Sequence, residues 1–349
     1  MGIKAILGGA LAAAVMITAA TGHAEDVRKR WKMHSSFGSQ VAILGPAGVR
    51  VAKNITELSN GSIRVKFFEP NALVPGIQYF DPISSGSLPA AWGSPGYNMG
   101  QEPALAFFSA VPFGPGFAEY NAWVFEGGGV KFLDEIYAKH NIKSLMCGMI
   151  PPEASGWFRK EIKSLNDLQG LKMRFFGLGA RVMEKVGVST QLLAGGDIYP
   201  ALELGSIDAT EFSMPSIDES YGFYQIAKHY YFPGWHQPSS YAELAINLDE
   251  WNSLSDHQRF VIETVCKANL MEEFTQAEAM QGAALDRMVN EHGVQVHQWS
   301  DETLNTLQEK WQEVAGEMSA EDAMFKTVWE HYSAFRKTHK AWRTLGYLK

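Results

Sequence analysis

The sequence predicts an α/β protein built from two lobes, with long helices towards its C-terminal end. Segments with strand-like and helix-like patterns alternate from Arg30 onward, which is typical of layered α/β domains with a largely parallel sheet. Residues 251–292 and 304–344 form two long stretches of helical pattern instead. The chain has 349 residues, which is enough for two lobes of ordinary size.

Most of the predicted elements are short. The clearest strand covers residues 62–68, where side chains mostly alternate after the turn signal Asn60-Gly61. We interpret the aromatic segment 230–235 as a loop. Further strands are predicted at residues 31–34, 90–92, 143–150, 157–160, 171–175, 209–212 and 241–247. Helices are predicted at residues 45–58, 81–85, 180–186 and 199–204.

The first residues are typical of an export signal. Lys4 gives a short positive start, residues 5–20 are small and apolar, and Gly22-His23-Ala24 offers the small residues that a signal peptidase reads. We therefore predict a signal peptide at residues 1–24, cleaved after Ala24, and a periplasmic location. The alternative of a membrane anchor fits less well, because the run is short and rich in Ala and Gly.

The charge balance argues against nucleic acid and anionic lipid as partners. The formal net charge is −8, and the sequence shows no basic stripe. A bound anion would therefore need a local positive feature. The two cysteines, Cys147 and Cys266, lie in separate apolar patterns. We interpret them as two separately buried thiols, although export would permit a disulfide.

The motifs of common enzyme classes are absent from the sequence. Gly93-Ser94-Pro95-Gly96 lacks the spacing of a nucleophile elbow, and His229 and His236 do not form a useful zinc pair. Neither an H-E-x-x-H pair nor a P-loop occurs. Residues 177–182 match only the first two glycines of a dinucleotide turn, because Val182 stands where a third small residue belongs. We expect these glycines to let the backbone approach a ligand.

Arg174 is the first candidate for binding an anionic ligand. It lies in the predicted strand 171–175, and open α/β sheets bind ligands in the crevice at the carboxyl ends of their strands. Its planar guanidinium matches a carboxylate with two hydrogen bonds. A surface arginine or an internal salt bridge would produce the same pattern, so both interpretations stay open.

Acidic and aromatic residues are further candidates. Glu211 lies at the end of a predicted strand, where its carboxylate suits a cation or a ligand hydroxyl, with a solvent-facing position as the alternative. Glu243 is a weaker candidate of the same kind. Three aromatic residues, Tyr97, Trp157 and Trp235, are candidates for the wall of a pocket. Covering a core edge is the alternative role for such aromatics.

Three stretches of the sequence carry a family likeness. They are D-L-Q-G-L-K-M-R at residues 167–174, A-G-G-D-I-Y-P-A-L-E-L-G-S-I-D-A-T-E at residues 194–211, and F-P-G-W at residues 232–235 with A-I-N-L-D-E-W at residues 245–251. The chain resembles the solute-binding proteins of tripartite ATP-independent periplasmic (TRAP) transporters over nearly its whole mature length. It is most similar to the subgroup that binds 2-oxo or 2-hydroxy monocarboxylates.

The resemblance implies a two-lobed periplasmic-binding-protein fold that closes about a hinge around its ligand. The first lobe would comprise residues 25–148 and 240–280, and the second lobe residues 149–239 and 281–312. Residues 313–349 would form C-terminal helices. The implied partners are a small carboxylate, the membrane permease subunits and, through the C-terminal helices, a second copy of the chain in a homodimer.

The resemblance also assigns roles in a ligand and metal site. Arg174 would pair with the ligand carboxylate, while Glu211 and the backbone carbonyl of Phe212 would help to hold a cation. Glu153 stands where the subgroup has a Gln that also helps to hold the cation, and Phe212 stands where it has Trp. Two carboxylates would favour Ca²⁺ over Na⁺. Alternatively, Glu153 would bind an amine or hydroxyl of a different ligand without a metal.

Two more departures from the subgroup suggest a reshaped pocket. Pro89 stands where we expect an acidic residue, and residues 213–217 differ in a way that suggests a more apolar pocket around Met214 and Ile217. We therefore expect a non-catalytic solute-binding subunit of a TRAP transporter that captures a small organic carboxylate. The alternatives are a periplasmic lyase or dehydrogenase acting on such a carboxylate, and an adaptor that binds a partner through its C-terminal helices.

Overall fold

A computed structural model describes residues 26–347 of the chain, and these residues form two β-sheets surrounded by helices. The strands are β1 (Lys29–Ser35), β2 (Ile63–Phe68), β3 (Ala90–Gly93), β4 (Ile142–Ile150), β5 (Gly156–Phe158), β6 (Lys172–Arg174), β7 (Ser189–Gln191), β8 (Ala209–Thr210), β9 (His229–Phe232), β10 (Ser240–Asn247) and β11 (Gln295–Gln298). The α-helices are α1 (Leu44–Leu58), α2 (Phe80–Ser84), α3 (Phe117–Asn121), α4 (Gly129–Ala138), α5 (Gly177–Lys185), α6 (Gly195–Glu203), α7 (Pro215–Tyr221), α8 (Leu248–Asn252), α9 (Asp256–Asn290), α10 (Asp301–Glu321) and α11 (Ala323–Leu345). The predicted signal peptide and its cleavage site lie outside the described residues.

Both sheets are mixed, whereas the sequence predicted a largely parallel sheet. The first has the strand order β2-β1-β3-β10-β4, and β10 runs antiparallel to both β3 and β4. The second has the order β11-β9-β5-β8-β6-β7, and β5 runs antiparallel to β8 and β9. The antiparallel strand β10 enters the first sheet as the chain returns from the second, so simple βαβ alternation does not continue throughout.

The chain crosses between the two sheets at three places. The connection from β4 to β5 covers only residues 151–155, and the connection from β9 to β10 covers residues 233–239. Helix α9, which is 35 residues long, packs against α1 and β4 of the first sheet and then against α7 beside the second. These crossings lie where the sequence predicts a hinge, and the predicted lobe boundaries stay a prediction.

Helix α1 shows how the pattern of apolar residues creates the core of the first sheet. Ala47, Val51 and Ile55 recur every four residues along one face, and all three are fully buried. The indole nitrogen of Trp92 donates a hydrogen bond to the Leu44 carbonyl at 2.9 Å. This helix and the sheet beneath it hold the loop that leads into the cavity described below.

The two cysteines form a disulfide between β4 and α9, so the interpretation as separate buried thiols is wrong. Cys147 and Cys266 are 119 residues apart in the sequence, and their Cα atoms are 4.1 Å apart. Each apolar pattern correctly predicts burial of its cysteine. The patterns do not show that α9 packs directly on β4, and this packing is what brings the thiols together.

The C-terminal tail and the aromatic segment also differ from the expectation. The helical stretch 304–344 is two helices, because the backbone leaves helical geometry at Asp322. The Asp322 side chain accepts a hydrogen bond from the Phe325 backbone at 2.6 Å and starts α11. The segment interpreted as a loop at residues 230–235 contains most of strand β9, and β7 and β11 were not predicted.

The expected lack of a basic stripe is wrong at the edge of the first sheet. Strands β1 and β2 are parallel neighbours, and their register places Arg30 beside Arg64 and Lys32 beside Lys66. All four side chains are exposed, because alternate residues on both strands point away from α1. Charges that are scattered in the sequence are thereby collected on one face.

Within the part of the chain that the structure describes, none of the helices has the length and apolar character needed to cross a membrane.

Candidate functional site

Two neighbouring strands of the second sheet bring Arg174 and Glu211 together. Strands β6 and β8 are parallel, and their register pairs Arg174 with Thr210. Glu211 follows directly, and its backbone N–H donates to the Arg174 carbonyl at 3.1 Å. The two side chains therefore meet where both strands end, which is the expected position of a ligand site in such sheets.

Arg174 is held in one orientation by buried acceptors. Its Nη1 donates to Oε1 and to the backbone carbonyl of Glu211, both at 2.9 Å, and its Nε donates to the Leu193 carbonyl at 3.2 Å. The guanidinium carbon lies 5.1 Å from the centre of the Phe212 ring. Arg174 is only 1% exposed. Its Nη2 has no hydrogen-bond partner among residues 26–347 and so remains available to a ligand.

Glu153 reaches the site from the connection between the sheets. Its carbonyl accepts a hydrogen bond from the Gly234 N–H at 2.9 Å, and its own N–H donates to the Gln237 carbonyl at 3.2 Å. Position 234 requires glycine, because a Cβ there would lie 2.2 Å from the Glu153 carbonyl oxygen. The Gln237 side chain donates to Glu153 Oε1 at 2.5 Å. This backbone pairing fixes the Glu153 carboxylate beside Glu211.

His236 completes a cluster that the sequence did not predict. Its Nε2 lies 3.6 Å from Glu153 Oε2 and 3.7 Å from Glu211 Oε2. In the described part of the chain, none of these three atoms has a hydrogen-bond partner. The three residues offer ligand atoms that all lie within 4.8 Å of one another. Unpartnered buried oxygens fit a hard cation such as Ca²⁺, whereas an imidazole nitrogen is better suited to a transition metal.

The charges of this cluster depend strongly on one another. Burial raises the pKa of Glu153 to about 8, with the nearby Glu211 charge acting in the same direction and His236 opposing it. Burial also acts to raise the pKa of Glu211, but the charge of Arg174 and the contact with His236 outweigh it and lower the pKa. Burial acts to lower the pKa of His236, but Glu153 and Glu211 raise it to about 9. Positive charge beside the two carboxylates is therefore favoured, as an imidazolium or as a cation.

An enclosed cavity of about 40 Å³ lies against this cluster. On a scale where one water molecule needs about 10–15 Å³, the cavity has room for about three waters, so it suits only a compact ligand. Four predicted site residues, Arg174, Glu153, Tyr97 and Phe212, line it. Its other lining residues are Phe37, Leu44, Ser94, Ile150, Phe176, Ser213, Gln237, Ser240, Tyr241 and Ala242.

Two aromatic residues predicted as pocket walls lie outside this lining. Trp157 stacks on Tyr230 with ring centres 3.8 Å apart, and its indole nitrogen donates to Asp218 at 2.8 Å. Burial raises the pKa of Asp218 to about 7, against the hydrogen bonds from these two aromatics. Trp235 stacks on Phe113 with ring centres 5.6 Å apart. Both tryptophans therefore support the cluster from behind.

Glu243 also lies away from the cavity. Its carboxylate accepts hydrogen bonds from Tyr79 at 2.7 Å, Tyr137 at 2.9 Å and Ser144 at 2.5 Å inside the first lobe. With these partners it is a satisfied core carboxylate, and no geometry here supports its predicted contact with a ligand. Met214 and Ile217, around which a more apolar pocket was expected, are fully buried and do not line the cavity.

The geometry agrees with what the chain is similar to. A family model described as bacterial extracellular solute-binding protein, family 7 (DctP), matches residues 37–322. The chain belongs to this family. A curated relative of this solute-binding protein, a monocarboxylate 2-oxoacid-binding periplasmic protein of Nostoc sp., is 37% identical over 319 residues, which cover 91% of this chain and 87% of the relative.

Solved structures show the same architecture. A TRAP transporter solute-binding protein of Bordetella bronchiseptica, with copurified calcium and picolinate, has a TM-score of 0.89 at 31% identity and covers 92% of this chain and 96% of its own. A TRAP periplasmic solute-binding protein of Pseudoalteromonas atlantica, with bound sodium and pyruvate, has a TM-score of 0.86 at 28% identity and covers 90% and 96%. The predicted fold class is thereby confirmed. The chain is an extracytoplasmic binding protein of the TRAP type, and the enzyme alternative is not supported.

Proposed function

We propose that this solute-binding protein captures a small 2-oxo or 2-hydroxy monocarboxylate together with a cation. The observation that carries the proposal is the enclosed cavity, in which Arg174 presents a free guanidinium nitrogen beside the Glu153 and Glu211 carboxylates. The arginine suits the carboxylate of the ligand, and the two acids suit a cation that bridges to its second oxygen. Relatives that bind a 2-oxoacid, or pyruvate with sodium, support the same ligand class.

Two carboxylates at the site favour a divalent cation. Glu153 and Glu211 would hold it, with the backbone carbonyl of Phe212 as a further oxygen, and the cation would fix the 2-oxo group of the ligand. Ca²⁺ accepts several oxygen ligands in flexible geometry, so we expect it in preference to Na⁺. The alternative is that Glu153 accepts a hydrogen bond from a hydroxyl or amine of the ligand and that no metal binds.

Capture requires movement of the lobes, because the cavity is enclosed. Ile150 and Ala242 on the first sheet and Arg174 on the second line the same cavity. The short connection at residues 151–155 crosses between the sheets beside them. We expect the lobes to open about these connections, to admit the ligand and then to close, and we expect the closed form to dock on the permease of the transporter.

The test is to identify what the protein binds. Mass spectrometry and metal analysis of the purified protein should find a small 2-oxo or 2-hydroxy acid with calcium. Calorimetric titration with pyruvate should show one site per chain, with affinity lost in EDTA and restored by CaCl₂. Conversion of the acid during incubation, or failure of any such acid to bind with Ca²⁺, Na⁺ or no metal, would contradict the proposal.

The C-terminal helix is the proposed surface of a homodimer. Trp342 is 61% exposed and Leu345 is 84% exposed, and both lie on α11. The Bordetella relative is described as a dimer. Sedimentation should show a dimer for the native chain and a monomer for the double variant Trp342→Glu and Leu345→Glu. Leu204→Glu, at an equally exposed apolar position on the second lobe, is the control and should leave the dimer intact.

Export remains part of the proposal. The predicted signal peptide would be removed after Ala24, which leaves a mature chain that begins at Glu25. N-terminal sequencing of the protein recovered from a periplasmic extract should therefore begin with Glu25-Asp26. A chain that begins at Met1 and sediments with membranes would instead support the anchor interpretation.

A further inference from the structure

The cavity has two walls of different chemistry. The second lobe contributes its charged and amide groups, namely Glu153, Arg174 and Gln237, with Ser213 and two phenylalanines beside them. The first lobe contributes eight lining residues, none of which carries a charged side chain: Phe37, Leu44, Ser94, Tyr97, Ile150, Ser240, Tyr241 and Ala242. The head group of a ligand and its tail therefore meet different lobes.

Polar atoms on the first-lobe wall are largely engaged elsewhere. The Ser94 hydroxyl pairs with the Ser109 hydroxyl at 2.8 Å. The Tyr241 hydroxyl donates to Asn121 at 3.1 Å. What remains towards a ligand is mainly hydrocarbon, from side chains that are at most 6% exposed: Phe37, Leu44, Ile150 and Ala242.

Tyr97 lies at the junction of the two walls. Burial raises its pKa to about 12, and Arg174 is the strongest of the charges that act on it, followed by Glu211 and Glu153. Its ring packs edge-on against Phe176 at 5.2 Å and tilts against Phe37 at 6.1 Å. The aromatic contacts thus continue from the head-group end of the cavity to its apolar wall.

We infer that this protein selects 2-oxo monocarboxylates with an unbranched aliphatic tail of two or three carbons over pyruvate, and that it rejects 2-oxo dicarboxylates. The inference rests on the proposed function, because Arg174 and the cation must first hold the head group. The tail then packs against the first-lobe wall formed by Phe37, Leu44, Ile150 and Ala242. The small cavity sets the upper limit of tail length.

The expected selectivity follows from burial. Each methylene group removed from water contributes about 0.8 kcal/mol, which is about a fourfold gain in affinity. Thus 2-oxobutyrate should bind about fourfold and 2-oxopentanoate about 15-fold more tightly than pyruvate. The second carboxylate of 2-oxoglutarate would be buried against hydrocarbon without a cationic partner, so its affinity should be at least 100-fold below that of 2-oxopentanoate.

Calorimetric titration of the full-length mature protein with these four acids, at constant CaCl₂, tests the inference. Ala242→Val narrows the apolar wall and should lower the ratio of 2-oxopentanoate to pyruvate affinity at least fivefold. Leu44→Ala widens it and should shift the optimum to 2-oxohexanoate. Leu133→Ala removes the same atoms from a buried leucine outside the lining and should leave the affinity ratio of the native protein. Thermal melts in the presence of ligand confirm that each variant is folded.

The outcomes separate the inference from the proposed function. Rising affinity from pyruvate to 2-oxopentanoate, with ratios that change at positions 44 and 242, supports the inference. Equal affinities for all monocarboxylates, or tight binding of 2-oxoglutarate, overturn it while the proposed function stands. Failure of all four acids to bind, with or without CaCl₂, overturns the proposed function itself and the inference with it.

Discussion

Replacement of Arg174 by Met tests the role of the central charge directly. Methionine keeps much of the side-chain volume but removes the guanidinium. In the native protein this group makes an ion pair of 2.9 Å with Glu211, and both side chains are at most 1% exposed. The substitution therefore leaves a buried Glu211 carboxylate without its principal cationic partner, and it leaves the head-group end of the cavity without a cation to meet a ligand.

Two different losses should follow from this one change. Removing one partner of a buried ion pair typically costs about 3–5 kcal/mol, so the variant should lose about that much free energy of unfolding. A ligand carboxylate enclosed in the cavity would lose its partner in the same way. At about 1.4 kcal/mol for each factor of ten, its affinity should fall about 10²- to 10⁴-fold.

Calorimetry with pyruvate and CaCl₂ measures the second loss, and urea unfolding measures the first. The double variant Arg174→Met and Glu211→Gln should recover stability without recovering pyruvate binding, because it removes both buried charges. Arg336→Met is a matched control, since Arg336 pairs with the buried Glu119 at 3.1 Å on α11 and does not line the cavity. If Arg174→Met bound pyruvate within threefold of the native protein, the assignment of Arg174 to the ligand carboxylate would be refuted.

Three further predictions concern the acids and the disulfide. Glu153→Gln should weaken Ca²⁺ binding about tenfold or more in metal titrations, because one of two buried carboxylates loses its charge; unchanged Ca²⁺ affinity would contradict its role. Cys147→Ser opens a disulfide that spans 119 residues and should lower the urea-unfolding free energy by about 2–5 kcal/mol, whereas an unchanged midpoint would show that the bond does not form. Burial raises the pKa of Glu273 to about 8 from 4.5, against the charge of Arg50, so the native protein should lose stability as the pH rises from about 4.5 to about 8. Glu273→Gln should remove a few kcal/mol of that pH dependence, and Glu57→Gln, at an exposed position, should not.

The strand ends were the part of the site that sequence patterns could locate. The predicted strands at residues 171–175 and 209–212 correspond to β6 and β8, which are parallel neighbours. Carboxyl ends of neighbouring parallel strands share one edge of a sheet, so Arg174 and Glu211 were expected at one crevice. The pattern left open whether Arg174 binds a ligand or makes an internal salt bridge. The structure shows the salt bridge, together with a free Nη2 at the cavity.

His236 could not be located by the same reasoning. It follows β9 in a connection between sheets, and the residues that it meets lie 83 and 25 positions earlier in the sequence. Backbone hydrogen bonds from Gly234 and Glu153 set its position, and such pairing of two irregular segments has no periodicity. The one local signal was a histidine and a glutamine amid an aromatic, proline-rich segment at residues 230–238, which indicates polar groups carried into a buried place.

The basic face and the disulfide were missed for a related physical reason. A strand shows its alternation in sequence, but the neighbour beside it and the register between them are tertiary facts. The pairs Arg30 with Arg64 and Lys32 with Lys66 arise only from the parallel register of β1 and β2. Likewise, burial of Cys147 was readable from its apolar surroundings, whereas its contact with α9 depends on how that helix crosses the sheet.

The division of the cavity between the lobes has a consequence for the order of binding. The groups that can hold a charged head, Arg174, Glu153 and Glu211, belong to the second lobe and are positioned by contacts within it, so an open form would retain them. The first lobe adds the apolar wall and the Tyr97 side chain, which the charges of all three residues reach. A ligand can therefore bind the second lobe through its carboxylate before closure, and only closure buries its tail. Charge then governs capture, while tail length governs how stable the closed form is.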